Sequence, residues 1–257
     1  MLIKKLSFLI VMGLFFFVFL TGVKAQPVRN EGSVDIPEVD GTYDVPGHGN
    51  MKVRVFVHNP KQVQSSALVC SDPNSSTVDN STGWHLPSNW IYQLNTSSVP
   101  SAVGSSNLPI IAGNAFNQWS SAVSSHVSFT RGADTTTDKK GLDGRNIVAW
   151  GRTSGRALAV TYTWYYTATH QVAEVDTIFN KRFNWSWTNY SANVCGVSNT
   201  YDAQDILTHE LGHWMGLDDH YTSAYVDNTM YGYGATGEVK KDTLTSGDVA
   251  GVQLVYP

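Results

Sequence analysis

A chain of 257 residues, 42% hydrophobic and 15% charged, carries enough apolar sequence for one globular core with some additional sequence around it. Its formal net charge of -4 argues against a nucleic-acid partner, for which a basic face is expected. Lysine is scarce while glycine, serine, asparagine and threonine are plentiful, a composition common among exported proteins.

In chain order, Lys4 and Lys5 precede an apolar run from Leu6 to Leu20, and Val23-Lys24-Ala25 reads as a small-x-small cleavage site. Residues 1–25 are therefore expected to be a signal peptide, leaving Gln26 as the first residue of a secreted chain with no stable membrane association. An uncleaved anchor is the alternative, because the apolar stretch to Val23 approaches the length of a membrane span. Residues 26–82 form a leader, a propeptide or an extension. Within it, Gln26 to Asn50 reads as loose chain, Lys52 to His58 (KVRVFVH) alternates like a strand, and Pro60 to Pro87 returns to Ser, Asn, Asp and Pro.

Residues 83–257 are more orderly. Trp90–Leu94 is a first strand, and Leu108–Val123 a helix in which Ile111, Ala115, Trp119 and Ala122 recur at helical spacing. Val127–Thr130, Asn146–Trp150, Leu158–Tyr166 and Val172–Phe179 follow as strands rich in β-branched and aromatic residues, and Ser246–Val255 is a closing helix. The loop carrying Asp134, Asp138, Asp143 and Asn146 offers oxygen ligands for Ca2+. Its spacing matches no EF-hand, and Lys139, Lys140 and Arg145 dilute its charge, so a solvated turn is the preferred reading. The two cysteines, Cys70 and Cys195, are expected to form one disulfide in an oxidising compartment.

The chemistry concentrates in Tyr201–His220, YDAQDILTHELGHWMGLDDH. His209, Glu210 and His213 form HExxH, which on a helix puts two imidazoles one turn apart on one face. One divalent ion can touch both, zinc suits imidazole nitrogen, and Glu210 projects beside the metal as general base for its water. Asp202 can cap this helix, Asp205 adds negative charge to its first turn, and Gly216 should end it in the left-handed conformation. The chain then turns back, so Asp219, or one residue later His220, can arrive as third ligand.

These residues are where the sequence resembles the metzincin metallopeptidases, whose motif HExxHxxGxxH is followed by a methionine turn. His209, Glu210, His213 and Gly216 match, while Asp219 stands at the third histidine, as in snapalysin-type members. Thr229-Met230-Tyr231-Gly232 is similar to the methionine turn of matrixins, with Met230 an apolar floor and Tyr231 not a ligand. The resemblance covers 83–257 as a metzincin-like catalytic domain. It implies an α+β fold: a twisted mixed sheet of about five strands, an active-site helix, the methionine turn and a C-terminal helix.

It further implies one catalytic Zn2+ on His209, His213 and Asp219, and a monomeric, secreted endopeptidase acting on proteins or peptides. The substrate is expected to lie extended along an exposed edge strand, Leu158 to Tyr162. The negative charge of Asp219 raises the pKa expected of the metal's water, which implies a neutral to mildly alkaline optimum. A zymogen switch through Cys70 is the alternative to its disulfide. His170 stands where related matrixins place a structural zinc, but without companions it reads as part of a surface hairpin. His126 likewise lacks neighbours of ligand type. A non-catalytic binding or surface protein on the same fold is the competing function, against which the intact Glu210 speaks.

Overall fold

The computed structural model describes residues 36–61, 68, 72–124, 126–189 and 195–257. The expected signal peptide, Gln26 and Cys70 lie outside the described residues.

Alternating and β-branched runs build one large sheet, whose strands in chain order are β1 (Gly41–Asp44), β2 (Met51–Pro60), β3 (Asn89–Leu94), β4 (Ser128–Arg131), β5 (Ile147–Gly151), β6 (Ala159–Tyr166) and β7 (Val172–Asn180). Spatially the order is β1-β2-β6-β7-β5-β3-β4. The strands β4, β3, β5 and β7 run parallel, and β6 is antiparallel to both β7 and β2. Two further short strands, β8 (Trp185–Ser186) and β9 (Tyr201–Asp202), pair with each other, and β10 (Tyr233–Gly234) joins the large sheet beside β2. Among the described residues three α-helices complete the mixed α+β fold: α1 (Leu108–Ala122), α2 (Ala203–Trp214) and α3 (Ser246–Val255).

The helices cover one face of the sheet. Leu108, Ile111, Ala115 and Trp119 of α1 meet Ile206, Leu207, Leu211 and Trp214 of α2 in a core that also takes Leu94, Val148 and Phe179 from the strands. The opposite face buries Val53, Val55, Val160, Tyr162 and Trp164 with Ile147 and Ile178. Alternation along β2 sends Val53, Val55 and Val57 into that second cluster and Phe56 into the helix-side core.

Two expectations need correction. Gln26 to Asn50 is not loose throughout, because Gly41–Asp44 pairs antiparallel with Lys52–Val55. The Leu158–Tyr162 edge is not exposed: Ala159 to Tyr166 is paired residue for residue with β2, and Leu158 to Tyr162 is buried. The sheet thus has the five expected strands and three more, two of them from the segment before residue 83.

Candidate metal centre

Helix α2 is set by its ends. Asp202 caps it, its carboxylate accepting from Gln204 N at 2.8 Å and Asp205 N at 3.2 Å, and taking Thr188 N on the other oxygen. Gly216, at φ +93°, closes it, and a Cβ there would collide with the Trp84 carbonyl. Trp119 Nε1 of α1 donates to Thr208 O at 2.8 Å, which ties the two helices together at the start of the motif.

The bend after Gly216 brings Asp219 Oδ1 to 3.2 Å from His209 Nε2 and 3.6 Å from His213 Nε2. Ligand atoms about 2 Å from one tetrahedral ion stand about 3.3 Å apart, so the spacing is that of three corners of a zinc tetrahedron. All three atoms are buried and have no hydrogen-bond partner among the described residues. Orphaned acceptors are costly unless a cation takes their lone pairs, so the residues fit the ion.

The other ring nitrogens fix the tautomers. His209 Nδ1 lies 2.7 Å from Thr229 O and His213 Nδ1 lies 3.0 Å from Leu217 O, so each Nδ1 carries the proton and each Nε2 presents a lone pair. Burial lowers both imidazoles, His213 to about 3 and His209 well below its ordinary value with Lys241 adding to the effect, which keeps them in the neutral ligand form.

His220, the other candidate third ligand, points elsewhere. Its Nε2 accepts from Asn80 N at 3.2 Å, and its ring stacks on Tyr225 at 3.7 Å. Tyr231 contributes its carbonyl to Lys241 Nζ at 2.7 Å. Met230 is fully buried beneath Gly212, where a Cβ would collide with its sulfur. The methionine turn is itself held by α3: Asp248 accepts from Thr229 N at 3.0 and 3.2 Å while closing a capping box with Thr245.

Glu210 is buried, and burial pushes its carboxyl up to about 8 against the opposing hydrogen bond from Thr161. That bond ends a relay that pattern reading does not reveal. The Trp214 indole can only donate, and gives its proton to Thr177 Oγ1 at 2.9 Å. Thr161 Oγ1 donates to Glu210 Oε2 at 2.6 Å, so in the 2.6 Å contact between the two hydroxyls Thr177 is the donor. Three side chains on α2, β7 and β6 thereby fix the rotation of the carboxylate. Threonines at strand positions read only as β-formers, so no sequence signal marks them.

Two more residues reach the site from β2. Phe56 stacks on His213 with ring centroids 3.7 Å apart, and His58 meets His209 edge-on at 3.9 Å with its Nδ1 3.3 Å from Glu210 Oε1. The alternation of KVRVFVH puts both on one face, but not against this helix.

The acidic loop gathers no ligand set among the described residues. Asp134 pairs with Arg131, Asp143 with Arg145, and Asp138 with Lys181. His170 sits exposed in the β6–β7 turn with Nδ1 3.0 Å from Gly83 O, and His126 is exposed; neither joins a group able to hold a metal among the described residues.

A search among curated proteins finds no match to this chain. A family model described as matrixin matches residues 84–257, more than half of the chain and the whole of the helix, metal centre and methionine turn just described. The chain belongs to the matrixins and is accordingly a zinc-dependent endopeptidase, with proteins or peptides as its substrates.

Proposed function

We propose that the chain is an exported endopeptidase that holds one catalytic zinc on His209, His213 and Asp219, in the snapalysin-like arrangement, and uses Glu210 as its general base. The carrying observation is the convergence of two Nε2 atoms and one carboxylate oxygen, all buried and unpartnered among the described residues, beside a buried acid. Zinc in that position supplies Lewis-acid polarisation of the scissile carbonyl and lowers the pKa of water beside it. Glu210 takes the proton of the attacking water and delivers it to the departing amine, breaking the C–N bond. The Trp214–Thr177–Thr161 relay keeps the carboxylate aimed while this happens. The charged N-terminus and apolar run support export, and the Cys70–Cys195 disulfide belongs to the same reading.

Glu210→Ala removes the base and leaves the three ligands. The variant should retain one zinc per chain by elemental analysis and lose peptide hydrolysis by at least about a thousandfold, in keeping with a general base acting on an otherwise intact centre. Hydrolysis retained at the parent rate would assign the proton transfer to another group. A parent chain that binds zinc but cleaves no peptide would favour the non-catalytic alternative.

A further inference from the structure

At the start of α2, ahead of the candidate metal ligands, three buried carboxylates come together and only two of them are provided for. Asp202 takes Gln204 N and Asp205 N on one oxygen and Thr188 N on the other. Asp205 takes Lys241 N at 2.7 Å, a bond that draws the chain before α3 against the first turn of α2. Asp242, the next residue, is 1% exposed, and neither of its carboxylate oxygens has a hydrogen-bond partner among the described residues.

Burial, and then the charges of Asp202, Asp205 and Asp72, oppose ionisation of Asp242 and push its carboxyl up to about 10. Protonation alone does not settle the group. A neutral carboxyl still presents a donor and acceptors, and nothing among the described residues meets them. The amides of the helix start do not answer it either, because Asp202 already holds those of Gln204 and Asp205. A cation at Asp242 resolves both problems: it takes the lone pairs of the two oxygens and offsets the acids around them.

The cleft beside Asp242 says which cation. Its volume is about 370 Å3, and Asp242 lines it with Asn114, Asn117 and Gln118 of α1, Gln204 of α2 and Thr243. Every lining side chain is an amide, a hydroxyl or this carboxylate. Organic ligands, and the stems of arginine and lysine, seek hydrocarbon surface, and this cleft has no aliphatic or aromatic side chain to give them. Asn114 Nδ2 donates to Gln204 Oε1 at 2.9 Å, which leaves Oδ1 as the acceptor end of the Asn114 amide. With no histidine or cysteine in the lining, the donors are hard oxygens, which suit Ca2+ and not zinc. Calcium accepts a bidentate carboxylate together with amide oxygens and water in irregular geometry, whereas Mg2+ demands a near-ideal octahedron.

We propose that Asp242, with amide oxygen from α1, forms a Ca2+ site that fastens the start of α2 to α1 and to the segment leading into α3. One carboxylate among otherwise neutral donors makes a weak site, with a Kd of roughly 0.1 to 1 mM. The ion acts on stability and takes no part in hydrolysis, so the site stands independently of the peptidase reading.

The test takes the full-length, zinc-loaded chain in calcium-free buffer and reads Tm as Ca2+ is added. Tb3+ luminescence excited through tryptophan is the second readout, since Trp187 Nε1 lies 3.3 Å from Gln204 Oε1 at the cleft. At about 10 mM, Ca2+ should raise the Tm of the parent by at least about 3 °C with zinc content unchanged. Asp242→Asn keeps the shape and removes the charge. Its Ca2+-induced shift should fall below about 1 °C, and its Ca2+-displaceable Tb3+ emission should drop at least about tenfold. Asn117 is exposed on α1, so Asn117→Lys leaves the core untouched, and its ammonium in the cleft should weaken Ca2+ binding at least about fivefold. That variant decides where Asp242→Asn fails to fold. A folded Asp242→Asn chain that responds to Ca2+ as the parent does, an Asn117→Lys chain of parent affinity, or a parent indifferent to Ca2+ would each overturn the site. A shift given by agmatine and not by Ca2+ would overturn the ion in favour of a basic side chain. Both readouts are taken without turnover, so a chain that binds Ca2+ and cleaves nothing would remove the peptidase reading alone.

Discussion

The α2 side of the metal centre and the β2 side are built differently. On the α2 side the candidate ligand atoms are firmly aimed: each His Nδ1 has a carbonyl, Asp202 caps α2, Asp248 of α3 holds the methionine turn, and Glu210 Oε2 ends a three-step relay. On the β2 side, aromatic faces and backbone pairing supply the contact, and the nearest polar pair, His58 Nδ1 and Glu210 Oε1, is left unmatched. The helix side thus fixes where the candidate ligand atoms point, and the strand side packs around them.

If so, damage to the framework should be expensive. Gly216→Ala forces a side chain into a conformation at φ +93° and against the Trp84 carbonyl. Strain and collision together should cost about 3 kcal/mol, seen as a lower urea midpoint with unchanged slope. A loss under about 0.5 kcal/mol would mean that the bend delivering Asp219 is pliable. Gly212→Ala is the next smaller break. Its Cβ meets the Met230 thioether, which is flexible enough to yield in part, so about 2 kcal/mol is expected with zinc affinity lowered alongside.

Most of this framework could be read in advance, because its signals are local. Asp202, Gly216 and Ser246–Val255 follow from capping and periodicity within one element, and the two candidate histidines, His209 and His213, from spacing on one helix, whereas Asp219 lies beyond its end. The strand over residues 52–58 was equally legible as a strand. Its destination was not, since the partner β6 lies about a hundred residues on and alternation reports which side chains share a face without naming the edge that receives them. The same limit hid β1 and the threonine relay. Thr161 and Thr177 meet Glu210 only after three elements assemble.

The relay separates the aim of Glu210 from its presence. Thr161→Val is nearly isosteric but removes the hydrogen bond that Glu210 Oε2 accepts from the Thr161 hydroxyl. Losing one charge-assisted bond to the base should lower kcat by about tenfold, some 1.4 kcal/mol, with KM and zinc content little changed, and Thr161→Ser should restore most of it. Equal kcat in the valine variant would show that the carboxylate is aimed by the metal side alone.

The smallest effect is expected from two buried carboxylates of the helix side. Asp79 and Asp248 are buried side by side beneath the methionine turn, and burial raises Asp79 to about 6 and Asp248 to about 7. Both exceed the value near 3.8 of the unfolded chain, so between about pH 4 and pH 7 the folded protein binds more protons than the unfolded one. Stability from this pair is therefore full at the acid end and falls as pH rises through that window. Asp79→Asn keeps an acceptor for Asn228 Nδ2, now at 2.9 Å, and offers Asp248 an amide proton that does not titrate away. The variant should lose less Tm than the parent between pH 5 and pH 8, and be about 1 kcal/mol more stable at pH 8. The parent-minus-variant difference isolates the pair from other buried acids. Parallel curves would mean the two carboxylates are already relieved by another partner, and the methionine turn would then rest on the Thr229–Asp248 bonds at every pH.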